Sequence, residues 1–167
     1  MCRENISFIK EAGGEKTSFE FSKWIVTTSY LRLCLVIIYR PPYSAAHPVS
    51  TDVLFTKFSN YLESIIRSSE PLLITGDFNI HVNISDDRDG IKLLDLLESM
   101  ALEQHVSTPT HQHGHTLDLI IICSTDIIIS SPPIYGDFLS DHSAVHCELK
   151  ADKPPSTVKE VSYRKIR

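Results

Sequence analysis

With 167 residues, 42% of them apolar and 22% charged, the chain can bury one core or part of a larger one, and its composition excludes a disordered body. The charge is uneven: residues 1–150 carry 11 Lys/Arg against 19 Asp/Glu, a net of −8, and the last 17 residues carry 5 against 2, a net of +3, which sum to the −5 of the whole chain. An acidic body argues against a DNA-reading module held by a basic face and suits carboxylates gathered around a divalent cation.

Arg3, Glu4, Lys10 and Glu11 break up the apolar residues of Met1–Gly14, so this stretch does not read as a signal peptide, and residues 1–18 carry no defined element. Residues 19–39 read as two strands. The first begins at Phe19, Phe21 and Trp24; the second, Leu31–Tyr39, is apolar on both faces, as a central strand is. Arg40-Pro41-Pro42 ends it, because proline cannot donate to a ladder. From Ser50 to Ser68, Val53, Leu54, Phe58, Tyr61, Leu62, Ile65 and Ile66 recur at helical spacing behind a Ser50 or Thr51 cap. A strand at Leu72–Thr75 follows, stopped by Gly76, which makes a β-α-β unit. A second helix is expected from about Asp89 to Met100, with Asp86, Asp87 and Asp89 near its positive end. Strands are expected near Val106, at Thr116–Cys123, at Asp126–Ile129 and at Ala144–Leu149. Pro154-Pro155 opens a basic, linker-like tail over 151–167. Alternating strands and helices define an α/β domain over residues 19–150.

Polar groups fall where these strands end. In Leu72-Leu73-Ile74-Thr75-Gly76-Asp77-Phe78-Asn79, an extended backbone puts Asp77 and Asn79 on one side and Phe78 on the other; a turn cap is the competing reading. Asp118 interrupts the apolar run Leu117–Ile121, and a buried carboxylate needs a partner. Asp141-His142 precedes the last strand, where the carboxylate can bind metal or orient the imidazole. Tyr39 can present a phenol to a phosphate. His111, His113 and His115 alternate, yet no further Cys or His has the spacing of a fourth zinc ligand. The four cysteines form no CxxC pair, and Cys34, Cys123 and Cys147 lie in apolar runs as free thiols, which favours a reducing, intracellular setting. No apolar run reaches the ~18 residues of a membrane span. Together these strand ends equip the chain for metal-assisted phosphodiester hydrolysis.

Tyr39-Arg40-Pro41-Pro42, Gly76-Asp77-Phe78-Asn79, Thr116-Leu117-Asp118-Leu119-Ile120 and Ser140-Asp141-His142, in this order, resemble the endonuclease/exonuclease/phosphatase family with its DNase I-like fold. The spellings Gly-Asp-Phe-Asn-Ile-His, Gly-His-Thr-Leu-Asp-Leu and Leu-Ser-Asp-His are most similar to the apurinic-type endonuclease domain of LINE-type non-LTR retrotransposons. Val161-Ser162-Tyr163-Arg164-Lys165 is similar to the stretch that joins that domain to a reverse transcriptase. The resemblance implies a four-layer α/β sandwich, incomplete here at the N-terminus. It implies His142 as general base or transition-state stabiliser, oriented by Asp118, with Asp141 as a metal-side ligand. Asp77 would position or deprotonate the attacking water, with Asn79 beside it on the phosphate. Tyr39 would contact the scissile phosphate, and Thr116 and Ser140 would lie on the substrate side. Mg²⁺, or Mn²⁺ in its place, is the implied ion, DNA the implied substrate, and a reverse transcriptase domain in a longer polyprotein the implied neighbour, with a nuclear site of action. The family's early Asn and metal-binding Glu have no counterpart among Glu4, Glu11, Glu15 and Glu20, so weak or no activity is expected. Two alternatives stand beside this: a phosphoesterase for a soluble or lipid phosphoester, and a non-catalytic remnant or partner-dependent module.

Overall fold

The computed structural model of the chain describes residues 6–16, 18–138 and 140–151. Ten elements follow along it: β1 (Ser7–Lys16), β2 (Phe19–Thr27), β3 (Arg32–Tyr39), α1 (Thr51–Ile65), β4 (Leu72–Asp77), α2 (Arg88–Ser99), β5 (Leu102–Gln104), β6 (Asp118–Cys123), β7 (Ile134–Phe138) and β8 (Ser143–His146). The first six strands form one mixed sheet in the order β1-β2-β3-β4-β6-β5, and β7 pairs with β8 in a second, two-stranded sheet. β3 and β4 are parallel across α1, as a β-α-β unit requires, and every other pair is antiparallel.

The central sheet is buried on two sides because β3 and its neighbours are apolar on two sides. One face carries Ile25, Cys34, Val36, Ile38, Leu72, Ile74, Leu119 and Ile121 against the helices. Helix α1 begins where Ser50 Oγ accepts the Val53 N–H, and it turns Leu54, Phe55, Phe58, Tyr61, Leu62 and Ile65 inward. Helix α2 begins at Asp87, whose Oδ1 accepts the Gly90 N–H at 2.8 Å, and buries Leu93 and Leu97. Val53, Ile91 and Leu94, which share the apolar spacing of these helices, lie on their open sides. The opposite sheet face carries Leu33, Leu73, Ile120 and Ile122, covered by Val106, Ile128, Tyr135 on β7 and Val145 on β8. Among the described residues, β7 and β8 are all there is of a second sheet, so the layers are helices, large sheet and a small hairpin.

Phe58 sits between Phe19 and Phe78, edge-on to each, with ring centroids 5.8 and 5.6 Å away. Phe58→Ala removes both contacts from a fully buried position and is expected to cost about 3–5 kcal/mol. Urea unfolding followed by the fluorescence of Trp24, the single tryptophan, measures it.

Several sequence expectations are corrected. Within the segment 1–18, Ser7–Lys16 is β1, paired with β2 with a bulge between Lys10 and Ala12, while residues 1–5 and 17 lie outside the described residues. Its Lys10, Glu11 and Glu15 leave the segment poorly defined in sequence, but charge and bulges are what an edge strand carries to avoid open pairing. The strand expected near Val106 is β5, and Val106 lies beyond it, its backbone N–H and C=O bonded by the Gln104 side chain at 2.9 and 3.1 Å. Asp126–Ile129 contributes one bridge, Ile129 to Leu149, while β7 has no expected counterpart because Pro132, Pro133 and Gly136 mask it. Gly76 does not stop β4, which runs through it to Asp77. Of the basic tail, residues 152–167 lie outside the described residues, as does Leu139 of the Leu-Ser-Asp-His motif.

Candidate active site

The strand ends meet. Tyr39 pairs with Asp77 across β3 and β4, and Asp77 with Asp118 across β4 and β6. Directly paired residues share a sheet face, so one row carries a phenol and two carboxylates. Tyr39 and Asp77 open into a cleft of about 500 Å³ that is also lined by Pro42, Asn79, His81, His111, His113, His115, Leu117, Asp141 and His142.

Asp77 and Asn79 reach it by a different route from the extended strand the sequence suggested. Asn79 has φ of 48°, and its backbone N–H donates to Asp77 Oδ1 at 2.9 Å. This is an Asx-type turn, for which asparagine's tolerance of positive φ is suited. The Asn79 side-chain nitrogen donates to Asp77 Oδ2 at 3.0 Å and to the Arg40 carbonyl at 2.8 Å. Two acceptors around that nitrogen fix the amide orientation, so the group Asn79 can present to the cleft is its carbonyl oxygen, which suits a cation or a water better than a phosphate. Turn and cleft edge, alternatives in the sequence, are therefore the same object.

His142 Nδ1 lies 2.8 Å from Asp118 Oδ2, with both side chains less than one-third exposed. Partial burial acts to lower the His142 pKa. The hydrogen bond and charge of Asp118, with the charges of Asp77 and Asp141, outweigh it and hold His142 above its ordinary value of 6.5. Burial chiefly, and then the charge of Asp118, raises Asp77 against the opposing Asn79 N–H and His142. Asp141 is exposed, and its backbone N–H and the Ser140 hydroxyl keep it below the usual carboxylate range. Ser140 also accepts the His142 N–H at 3.3 Å, which makes it the cap of the Asp141-His142 turn.

Thr116 departs from its expected substrate-side place. It is fully buried, its hydroxyl donates to the Thr108 carbonyl at 3.2 Å, and its N–H donates to Asn83 Oδ1 at 2.8 Å. The threonine that shapes the site is Thr110, whose buried Oγ1 accepts the N–H groups of Leu117 and Asp118, each at 3.1 Å. Arg40 was legible as a strand terminator but not as a buried guanidinium donating to the Asn79 carbonyl at 2.7 Å; a lone arginine before two prolines carries no signal of that burial. His111, present in the sequence only as one of three alternating histidines, stands edge-on to His142 with ring centroids 4.9 Å apart.

No curated protein sequence matches the chain. Among solved structures, the catalytic domain of human Nocturnin with bound sulfate superposes with a TM-score of 0.50 at 15% identity, over 86% of this chain and 59% of that one. The mannosyl-6-phosphatase Bt3783 of Bacteroides thetaiotaomicron VPI-5482 gives 0.50 at 13% identity, over 86% and 67%. The chain thus spans about three-fifths of the Nocturnin domain. Architecture and likeness define the class as an α/β fold shared with these two structures. Within that class the chain belongs to the endonuclease-reverse transcriptase family, whose sequence pattern matches residues 33–146 and so spans Tyr39 through His142.

Proposed function

We propose that the chain carries part of a metal-dependent endonuclease domain that hydrolyses DNA phosphodiesters, in a retrotransposon polyprotein where a reverse transcriptase domain follows, acting in the nucleus. The observation that carries this is the Asp118–His142 hydrogen bond opening on the same cleft as Asp77 and Asn79. His142, held on Asp118 through Nδ1, has Nε2 to accept a proton or to donate to a charged oxygen. Asp118 is a positioning residue that fixes tautomer and ring angle. Asp77, made more basic by burial, is placed to orient a water and take its proton, and Tyr39 can donate its hydroxyl to a phosphate oxygen.

The Asp141 carboxylate, exposed and held ionised, and the oxygens of Asp77 and Asn79 are hard donors that fit Mg²⁺ or Mn²⁺, which keep several waters. Such an ion, when bound, would neutralise phosphate charge and lower the pKa of a bound water.

The test is nicking of supercoiled plasmid with Mg²⁺ by the wild-type chain and His142→Ala. Slow nicking that disappears in His142→Ala is expected. Release of phosphate from mannose 6-phosphate or inositol phosphates without nicking would move the reading to a small phosphoester. Neither activity would leave the non-catalytic module.

A further inference from the structure

The histidines the sequence sets side by side have different surroundings, although the His111 and His113 rings stay in contact with centroids 4.9 Å apart. His113 is exposed, and His115 stacks on His81 with centroids 4.0 Å apart at 25°. His111 instead faces the Asp141-His142 turn. His111 and His142 are partners of an antiparallel bridge, clamped by Ser143 N–H to the Thr110 carbonyl and Gln112 N–H to the Asp141 carbonyl, each at 2.8 Å. Directly opposed residues project to one side, and one ligand atom from each of His111, Asp141 and His142 lies within 4.8 Å of the other two. His111 Nε2 is 3.8 Å from Asp141 Oδ2.

We infer that His111, Asp141 and His142 form a binding site for a transition-metal ion of the zinc class, distinct in chemistry from the oxygen-ligated ion of the catalytic reading. Two imidazoles and a carboxylate, with a fourth position open to the cleft, are donors that zinc or cobalt prefers and magnesium does not. The surroundings favour the same assignment. Asp118 holds His142 through Nδ1 and so leaves Nε2 as the ligand atom, the arrangement in which a second carboxylate orients a metal-bound imidazole. Loading has one identifiable cost. His111 Nδ1 accepts the His113 N–H at 3.3 Å, and a metal on Nε2 moves the ring proton to Nδ1 and ends that long, exposed contact. The His113 N–H can turn to water.

Binding does not depend on the endonuclease reading; its consequence does. His142 Nε2 cannot ligate a metal and exchange a proton with substrate together, so a zinc-class ion inhibits the Mg²⁺-supported reaction. Zinc competition against a chromogenic chelator, using the full chain, is expected to give one equivalent bound at micromolar affinity or tighter, with excess Mg²⁺ unable to displace it. Cobalt(II) alone should produce the visible bands of a four- or five-coordinate site. His111→Gln and Asp141→Asn should each weaken zinc by at least about tenfold with an unchanged circular dichroism spectrum, and His113→Gln should leave it intact. No stoichiometric binding, equal binding by wild type and His111→Gln, or loss in His113→Gln overturns the site. Confirmed binding with plasmid nicking unaffected by zinc overturns the inhibitory consequence alone. Confirmed binding in a chain that nicks no plasmid upholds the site while the endonuclease reading fails.

Discussion

Gly76→Ala is expected to unfold the chain or to remove most of its stability, a loss beyond the ~4–5 kcal/mol that single substitutions seldom exceed. Gly76 lies inside β4, opposite Ile38 on β3 and Leu119 on β6, with φ of +137°. A Cβ there would stand 1.8 Å from the Ile38 carbonyl oxygen, 2.8 Å from its carbon and 2.9 Å from its nitrogen. All three are backbone atoms of the neighbouring strand, so no rotamer change relieves the clash, and the φ is one that residues with side chains rarely adopt. Relief requires β3 and β4 to part at the level where Tyr39 and Asp77 stand one residue further on. Urea denaturation and the soluble yield measure the effect. A Gly76→Ala chain that melts within a few degrees of wild type would refute this strand geometry.

That glycine also marks where sequence reasoning gives out. Apolar runs ending in glycine, proline or a carboxylate located β3, β4 and β6, because burial on two faces leaves a continuous apolar signature. The direction of the backbone at Gly76 leaves none, since a glycine that stops a strand and one that lets two strands approach are spelled alike. Both helices were legible from their periodicity, and α1 also from Ser50 at its start, whereas the Asp87 cap of α2 was only one of three acidic residues near an N-terminus expected at about Asp89. β1 was not, because an edge strand bonded on one side carries the charges of a loop, and β7 was not, because its short, glycine-containing sequence has no alternation. In the site, Asp77, Asp118 and His142 were visible as polar residues at apolar strand ends. Thr116 was drawn in by its place in a motif, whereas the fold uses its hydroxyl inside a turn. His111 could not be matched to Asp141 and His142 by spacing, since the bridge that joins them brings together distant segments of the chain.

The second large effect belongs to the Asp118–His142 pair. His142→Ala is expected to lower kcat/KM for Mg²⁺-supported cleavage by about 10²–10⁴, the usual worth of a positioned proton-transfer group. Asp118→Asn separates positioning from presence, because it keeps the imidazole and removes the carboxylate that holds Nδ1 at 2.8 Å. A rate that needs neutral His142 rises as pH passes through its pKa, which lies above 6.5 in the wild type. In Asp118→Asn, burial keeps its lowering effect while the largest opposing hydrogen bond and charge are gone, so the acidic limb moves to lower pH even as the maximal rate falls. Stability follows with a definite sign. His142 binds its proton more tightly folded than unfolded, so its contribution is fully present below 6.5 and is lost as pH rises through the raised folded value. Asp118→Asn should therefore destabilise the chain more in acid than in alkali, read from urea midpoints across that range. Proton NMR of the His142 ring gives the same pKa shift without any turnover. An acidic limb and ring titration unchanged by Asp118→Asn would show that the carboxylate does not govern this histidine.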